Sequence, residues 1–187
     1  DKTMASLHEE TLHLNKLVDD LHTLSLSDAG ALNYHMQALD IQSLLQQVVD
    51  DFSTRAAEQH IRIEYQINNS TTLQGDSTRL QQLFYNLIEN SLRYTDAPGQ
   101  LDIHCSLGSG EISITLEDTP PVPAEEDIKQ LFERFYRTES SRNRKTGGSG
   151  LGLAICRNIV EAHQGSIKAY LAPSGGLGIC ITLPTVI

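Results

Sequence analysis

The 187-residue chain is predicted to fold as an α+β protein: a two-layer sandwich of about three helices on one mixed, mostly antiparallel sheet of about five strands, preceded by a coiled-coil-type helix. Three observations predict this. Apolar residues recur at alternating steps of three and four near the start of the chain. Two later stretches carry a helix-period apolar face, each opened by an aspartate. The remainder holds runs in which apolar and polar residues alternate, separated by glycine- or proline-bearing turns.

Met4, Leu7, Thr11, Leu14, Val18 and Leu21 form a coiled-coil seam with one polar member, widened by Leu17 and Leu24. A lone helix with that stripe needs a partner. The pattern stops at Ser27-Asp28-Ala29-Gly30, where Gly30 can end a helix, and a short extended stretch from Ala31 to Met36 follows. The domain boundary is placed there. Asp40 is the expected N-cap of a helix carrying Ile41, Leu44, Leu45, Val48, Val49 and Phe52 and ending near Gln59. Ile61, Ile63, Tyr65 and Ile67 alternate as a half-buried strand does. Asp76 opens the next helix, with Leu80, Leu83, Phe84, Leu87, Ile88 and Leu92 as its buried side.

Leu101, Ile103, Cys105 and Leu107, then Ile112, Ile114 and Leu116, read as a hairpin joined by Gly108-Ser109-Gly110. A proline-rich break (Pro120, Pro121, Pro123) precedes a short helical piece from Glu125 to Phe132. Residues Thr138 to Ser149 are polar, basic and glycine-rich, and are expected to form a mobile loop. A helix from Gly150 to His163 stops at Gly165, and two strands, Ser166 to Leu171 and Leu177 to Leu183, turn through Gly175-Gly176.

Charge excludes one class of partner. With Lys+Arg 14 against Asp+Glu 24 the net charge is −10, so the chain works against a phosphate backbone and is not expected to bind nucleic acid. No apolar run is long enough for a membrane span, and the opening residues DKTMASLHEE carry no secretion-signal pattern. Starting inside a periodic pattern, they read as part of a longer chain. Cys105, Cys156 and Cys180 lack metal or CxxC spacing and are expected to be reduced core thiols.

Two features carry chemistry. On the Asp76 helix, Asn86, Asn90, Arg93 and Tyr94 fall at i, i+4, i+7 and i+8, sharing a face beside the apolar one. Such a face is ordinarily only solvated, but two carboxamides, a cation and an aromatic can also ligate Mg²⁺, neutralise phosphate and stack a base. Gly147 to Leu153 runs straight into a helix, offering unpaired N–H groups and a positive dipole end to an anion. It lacks the lysine of a Walker A loop and the preceding strand of a dinucleotide fingerprint.

The order of these pieces resembles a known family. Asn86-Leu87-Ile88-Glu89-Asn90-Ser91-Leu92-Arg93-Tyr94-Thr95 resembles the N box of sensor histidine kinases. Asp118 stands where the G1 box begins, Leu131 to Arg137 is similar to the F box, and Gly148 to Leu153 is similar to the G2 box. The resemblance covers residues 31–187 and implies a catalytic ATP-binding domain; residues 1–30 are similar to the end of the dimerisation and phosphoacceptor domain. It implies that Asn90 and Asn86 hold Mg²⁺ on the ATP phosphates, with Arg93 keeping the charge of a lysine usual in the family. Tyr94 would line the adenine pocket and Asp118 would accept from the adenine amino group. Arg137 and the backbone of Gly148, Gly150, Leu151 and Gly152 would attend the terminal phosphates, with Thr138 to Ser149 as the ATP lid. It further implies a homodimeric parent held in the inner membrane by a part absent here, this part lying in the cytoplasm. That parent would pass phosphate from its own His to a response-regulator Asp.

Two departures stand out. The G1 glycines are replaced by Pro120 and Val122, which is expected to hinder a close backbone approach to nucleotide. His8-Glu9-Glu10-Thr11 imitates the phosphoacceptor motif without its basic residue and proline, so the acceptor is expected to lie outside this chain. The related ATPases of the gyrase, heat-shock protein 90 and MutL group place a water-activating Glu where Asn86 stands. An ATPase of that kind, or a degenerate regulatory or dimerising module, are the competing readings. His163, in a last helical turn, is expected to act as a helix-end cation.

Overall fold

The computed structural model describes residues 2–67, 71–138 and 148–185. Its elements run α1 (Lys2–Asp28), β1 (Gln37–Asp40), α2 (Ile41–Glu58), β2 (Ile61–Ile67), β3 (Thr72–Gly75) and α3 (Ser77–Tyr94). They continue with β4 (Gly99–Leu107), β5 (Glu111–Asp118), α4 (Glu125–Ile128), α5 (Gly152–Ala162), β6 (Ser166–Leu171) and β7 (Leu177–Pro184). The predicted lid falls mostly outside the described residues.

Five strands pair in the order β2-β4-β5-β7-β6. β2 and β4 are parallel, with Ile61 opposite Gly99, and every other pair is antiparallel. Alternation decides which side faces the helices: Leu101, Ile103, Ile112, Ile114, Leu116, Ile179 and Ile181 point into one continuous core with the apolar sides of α2, α3 and α5. The other face is polar. Across it Glu64, Asp102 and Glu117 fall side by side on β2, β4 and β5. Their partners are Arg62 for Glu64 at 2.5 Å, Gln100 Nε2 for Asp102 at 2.7 Å and the Tyr170 hydroxyl for Glu117 at 2.6 Å.

Both predicted aspartate caps form. Asp40 Oδ1 accepts from Gln42 N at 3.1 Å, and Asp76 Oδ1 accepts from Arg79 N at 3.1 Å. Each cap follows a strand that alternation did not reveal: β1 and β3 pair antiparallel, Gln37 opposite Gly75 and Asp40 opposite Thr72. This two-stranded ribbon ties the starts of α2 and α3 together. With four residues in each strand, neither sequence is long enough to show a period.

The expectation for α1 needs correction in one respect. Leu17 and Leu24 do not widen the outer seam; Leu24 is buried in the domain core and Leu17 packs against it. Leu14, Val18 and Leu21 stay exposed. The helix is also held by Asn158 Nδ2 donating to Ser27 Oγ at 3.1 Å and by the Arg134–Asp28 ion pair. The cysteines differ from expectation too: Cys156 is fully buried, whereas Cys105 and Cys180 are half-buried. Cys180 stands opposite Thr115 on the polar face, with its sulfur 3.4 Å from Ser113 Oγ.

His163 is no helix-end cation. It is 3% exposed; Nε2 accepts from Asp76 N at 2.9 Å, and Nδ1 lies 2.7 Å from the Ile159 carbonyl, to which it donates in the neutral form. Tyr34 packs edge-on against its ring. Burial holds its pKa below the ordinary 6.5, against the Ile159 carbonyl and the Asp76 charge. The unfolded chain therefore takes the proton more readily, and this contribution to stability is lost as pH falls below about 6.5. His163→Ala should cost about 1–3 kcal/mol in denaturant unfolding at pH 7.5, because the Asp76 N–H loses its acceptor. The variant should also lack the acid-dependent loss that His163 gives the wild type; equal pH profiles for both proteins would contradict this account.

Candidate functional site

A cleft opens where α3, the start of α5, the loop after β5, the β6–β7 turn and α1 meet. The burial of Leu83, Leu87 and Ile88 turns the neighbouring side of α3 toward it, so Asn86, Asn90, Arg93 and Tyr94 all line the cleft. Asp118, Arg137, Gly148, Gly150 and Gly152 line it as well. Leu151 does not: its side chain is fully buried in the core, and its N–H donates to Ser149 Oγ at 3.2 Å.

Asp118 sits at the end of β5 and is 4% exposed. Leu177 N donates to its Oδ1 at 2.7 Å, and the Ser91 hydroxyl donates to the same carboxylate. Burial outweighs both donors and pushes its pKa up to about 6. The β6–β7 turn closes on this residue: Ser174 Oγ donates to the Asp118 carbonyl at 2.8 Å, and a Cβ on Gly176 would collide with that same oxygen. Only glycine fits there.

At the other end of the cleft, Arg93 Nη2 donates to Glu89 Oε1 at 3.2 Å, and its Nη1 lies 2.5 Å from where a Cβ on Gly148 would be. Gly150 has φ +72° and rests against the Phe135 backbone, whose N–H donates to the Gly150 carbonyl at 2.9 Å. α5 then begins with no side-chain cap, and its first helical bond is Ile155 N to Leu151 O at 2.9 Å. The N–H groups before Ile155 thus have no acceptor within the helix, the arrangement that receives anions.

Asn86 Nδ2 is buried with no oxygen or nitrogen acceptor among the described residues, only the Cys156 thiol beside it. A hard cation takes carboxamide oxygens rather than nitrogens, so the oxygens of Asn86 and Asn90, which both line the cleft, are the atoms suited to an ion that phosphate also binds. Among the described residues no cluster of His, Cys, Asp or Glu could hold a metal. Of the loop that replaces the G1 glycines, Pro121, Val122 and Pro123 line the cleft and Pro120 does not. Lys16, Leu17, Asp20 and Glu89 also line it, and sequence motifs gave no sign of the first three.

This fold and cleft define a class. The family of histidine kinase-, DNA gyrase B- and HSP90-like ATPases matches residues 75–187, and the chain belongs to it. Over 183 residues, 98% of this chain, it is 49% identical to the signal transduction histidine-protein kinase BaeS of Escherichia coli strain K12. The chain spans 39% of that protein's length. The histidine kinase AdeS of Acinetobacter baumannii superposes with a TM-score of 0.81 at 28% identity, covering 98% of this chain and 84% of that one. ShkA, solved full-length with AMPPNP, gives 0.84 at 27% identity, covering 99% of this chain and 38% of that one. Within that family the chain is similar over nearly its whole length to histidine kinases.

The environment of Asp118 sets a direct expectation. A carbon-13 NMR titration should place its carboxyl near 6, and Ser91→Ala, which removes one donor to the carboxylate, should move the midpoint higher. A wild-type midpoint at the ordinary 3.8 would mean that burial does not govern this residue.

Proposed function

We propose that this domain binds ATP with Mg²⁺ and donates the γ-phosphoryl group to a histidine on a dimerisation segment, from which a response-regulator Asp receives it. The observation that carries the reading is the convergence of Asn86, Asn90, Arg93 and Asp118 with an uncapped, glycine-led helix start in one cleft. The ionised Asp118 carboxylate accepts from the adenine amino group, and Tyr94 lines the base pocket. Arg93, Arg137 and the backbone around Gly148, Gly150 and Gly152 match the phosphate charge. Leu151 anchors the start of α5 in the core, its N–H being engaged by Ser149 Oγ. Asn90 and Asn86 are the residues that would hold Mg²⁺, which supplies charge neutralisation on the phosphates when bound. Phosphoryl transfer asks mainly for such positioning and electrostatic support. The AMPPNP bound in the similar ShkA structure supports an adenine nucleotide in this cleft.

Transfer is favoured over hydrolysis. Asn86 offers no carboxylate to activate water, and Glu89, the acid beside Asn90, is engaged by Lys16, Arg93 and Arg55. The exposed stripe of Leu14, Val18 and Leu21 suits packing against a second copy, so residues 1–30 read as part of a homodimerising helical domain. No helix among the described residues is long and apolar enough to cross a membrane. Attachment to the inner membrane is assigned to a part outside these residues, with this domain on the cytoplasmic side.

Calorimetric titration of ATP with Mg²⁺ should show binding that Asn90→Ala largely removes. Identical titrations of the two proteins would show that Asn90 is not a ligand. With γ-labelled ATP, the chain should label a supplied peptide domain bearing the phosphoacceptor His while leaving its own histidines unlabelled. Acid-labile label on His8 would overturn the assignment of the acceptor to another segment.

A further inference from the structure

Lys16, Leu17 and Asp20 of α1 line the same cleft as Asn90, Arg93 and Asp118, although they precede the ATP-binding fold in sequence. We propose that α1 is a wall of the nucleotide site and that Lys16, through its ion pair with Glu89, raises the affinity for the polyphosphate of ATP. This rests on the reading of the cleft as an ATP site.

Glu89 is the immediate neighbour of Asn90. Its carboxylate is held by three cations, Lys16, Arg93 and Arg55. An ionised carboxylate at that place repels a triphosphate unless its charge is matched. The matching is divided. Glu89 Oε1 faces Arg93 Nη2 at 3.2 Å and Arg55 Nη1 at 3.9 Å, while Oε2 meets Lys16 Nζ at 2.7 Å. If Lys16 is removed, Glu89 draws more heavily on Arg93, whose other nitrogen faces Gly148. Lys16 thereby leaves Arg93 oriented toward the glycine loop.

Asp20, the acid that α1 brings into the cleft, is 5% exposed. Burial pushes its carboxyl up, against Lys16 and with Asp19 and Glu89, so its negative charge is the one the surroundings weaken. Lys16 itself is about half-exposed, and Leu24, Ser27 and Asp28 anchor the helix away from the cleft. Neutralising Lys16 therefore changes a charge without freeing the helix. Linkage makes the effect reciprocal: what Lys16 adds to ATP binding, ATP adds to the docking of α1.

The test titrates ATP, ADP and adenosine into the 187-residue chain as wild type, Lys16→Ala and Lys16→Arg, each with and without Glu89→Gln. Lys16→Ala should weaken ATP about five- to tenfold, the scale of one charge at intermediate dielectric, ADP less, and adenosine not at all. Lys16→Arg should restore ATP affinity, and the loss should vanish in the Glu89→Gln background. Unchanged ATP affinity in Lys16→Ala overturns the proposal. An equal loss for adenosine overturns it by showing a purely structural role, and a loss undiminished by Glu89→Gln overturns the route through Glu89. Failure of the wild type to bind ATP removes the ATP reading first, and this proposal with it.

Discussion

α3 is buried along Leu80, Leu83, Phe84, Leu87, Ile88 and Leu92, and that burial sets the angle at which its next face meets the cleft. Side chains advance by about 100° per residue on a helix, so Asn86, Asn90 and Arg93 have no freedom apart from the apolar residues between them. Turning the helix to misplace the amides would expose several large side chains, each worth about 1.5–3 kcal/mol when buried. The Asp76 cap and the β1–β3 ribbon fix its start, and His163 holds the cap residue from the far end of α5. Precision at the cleft is thus supplied by packing elsewhere.

Three acidic residues on this framework meet different fates, Asp76 and Asp118 being buried and Glu89 half-buried. Asp76 receives backbone N–H groups from His35, Arg79 and Thr78, which overcome the cost of burial and keep it below the ordinary range. Glu89 is kept ionised by cations. Asp118 has the Leu177 N–H and the Ser91 hydroxyl, and burial prevails. Its carboxylate is therefore the least satisfied of the three and has most to gain from another donor.

Much of this was legible from the chain alone. Helices opened by Asp40 and Asp76, the five-stranded sheet and the shared face of Asn86, Asn90, Arg93 and Tyr94 follow from period and capping, which are local. What escaped was non-local. The ribbon depends on pairing two short strands, and the neutral state of His163 depends on an N–H supplied 87 positions earlier. Leu17 and Leu24 fit a coiled-coil stripe as well as a domain core, and only packing separates the two. Glu89 and Arg93 are four apart, the spacing at which helical side chains meet, but Lys16 lies 73 residues from Glu89 and no spacing rule links them.

The polar face of the sheet has a consequence of another kind. Asp102 and Glu117 give it negative charge on two neighbouring strands, while Glu64 beside them is paired with Arg62. Two such faces repel when brought together, so stacking of sheets between molecules is disfavoured without any covering layer.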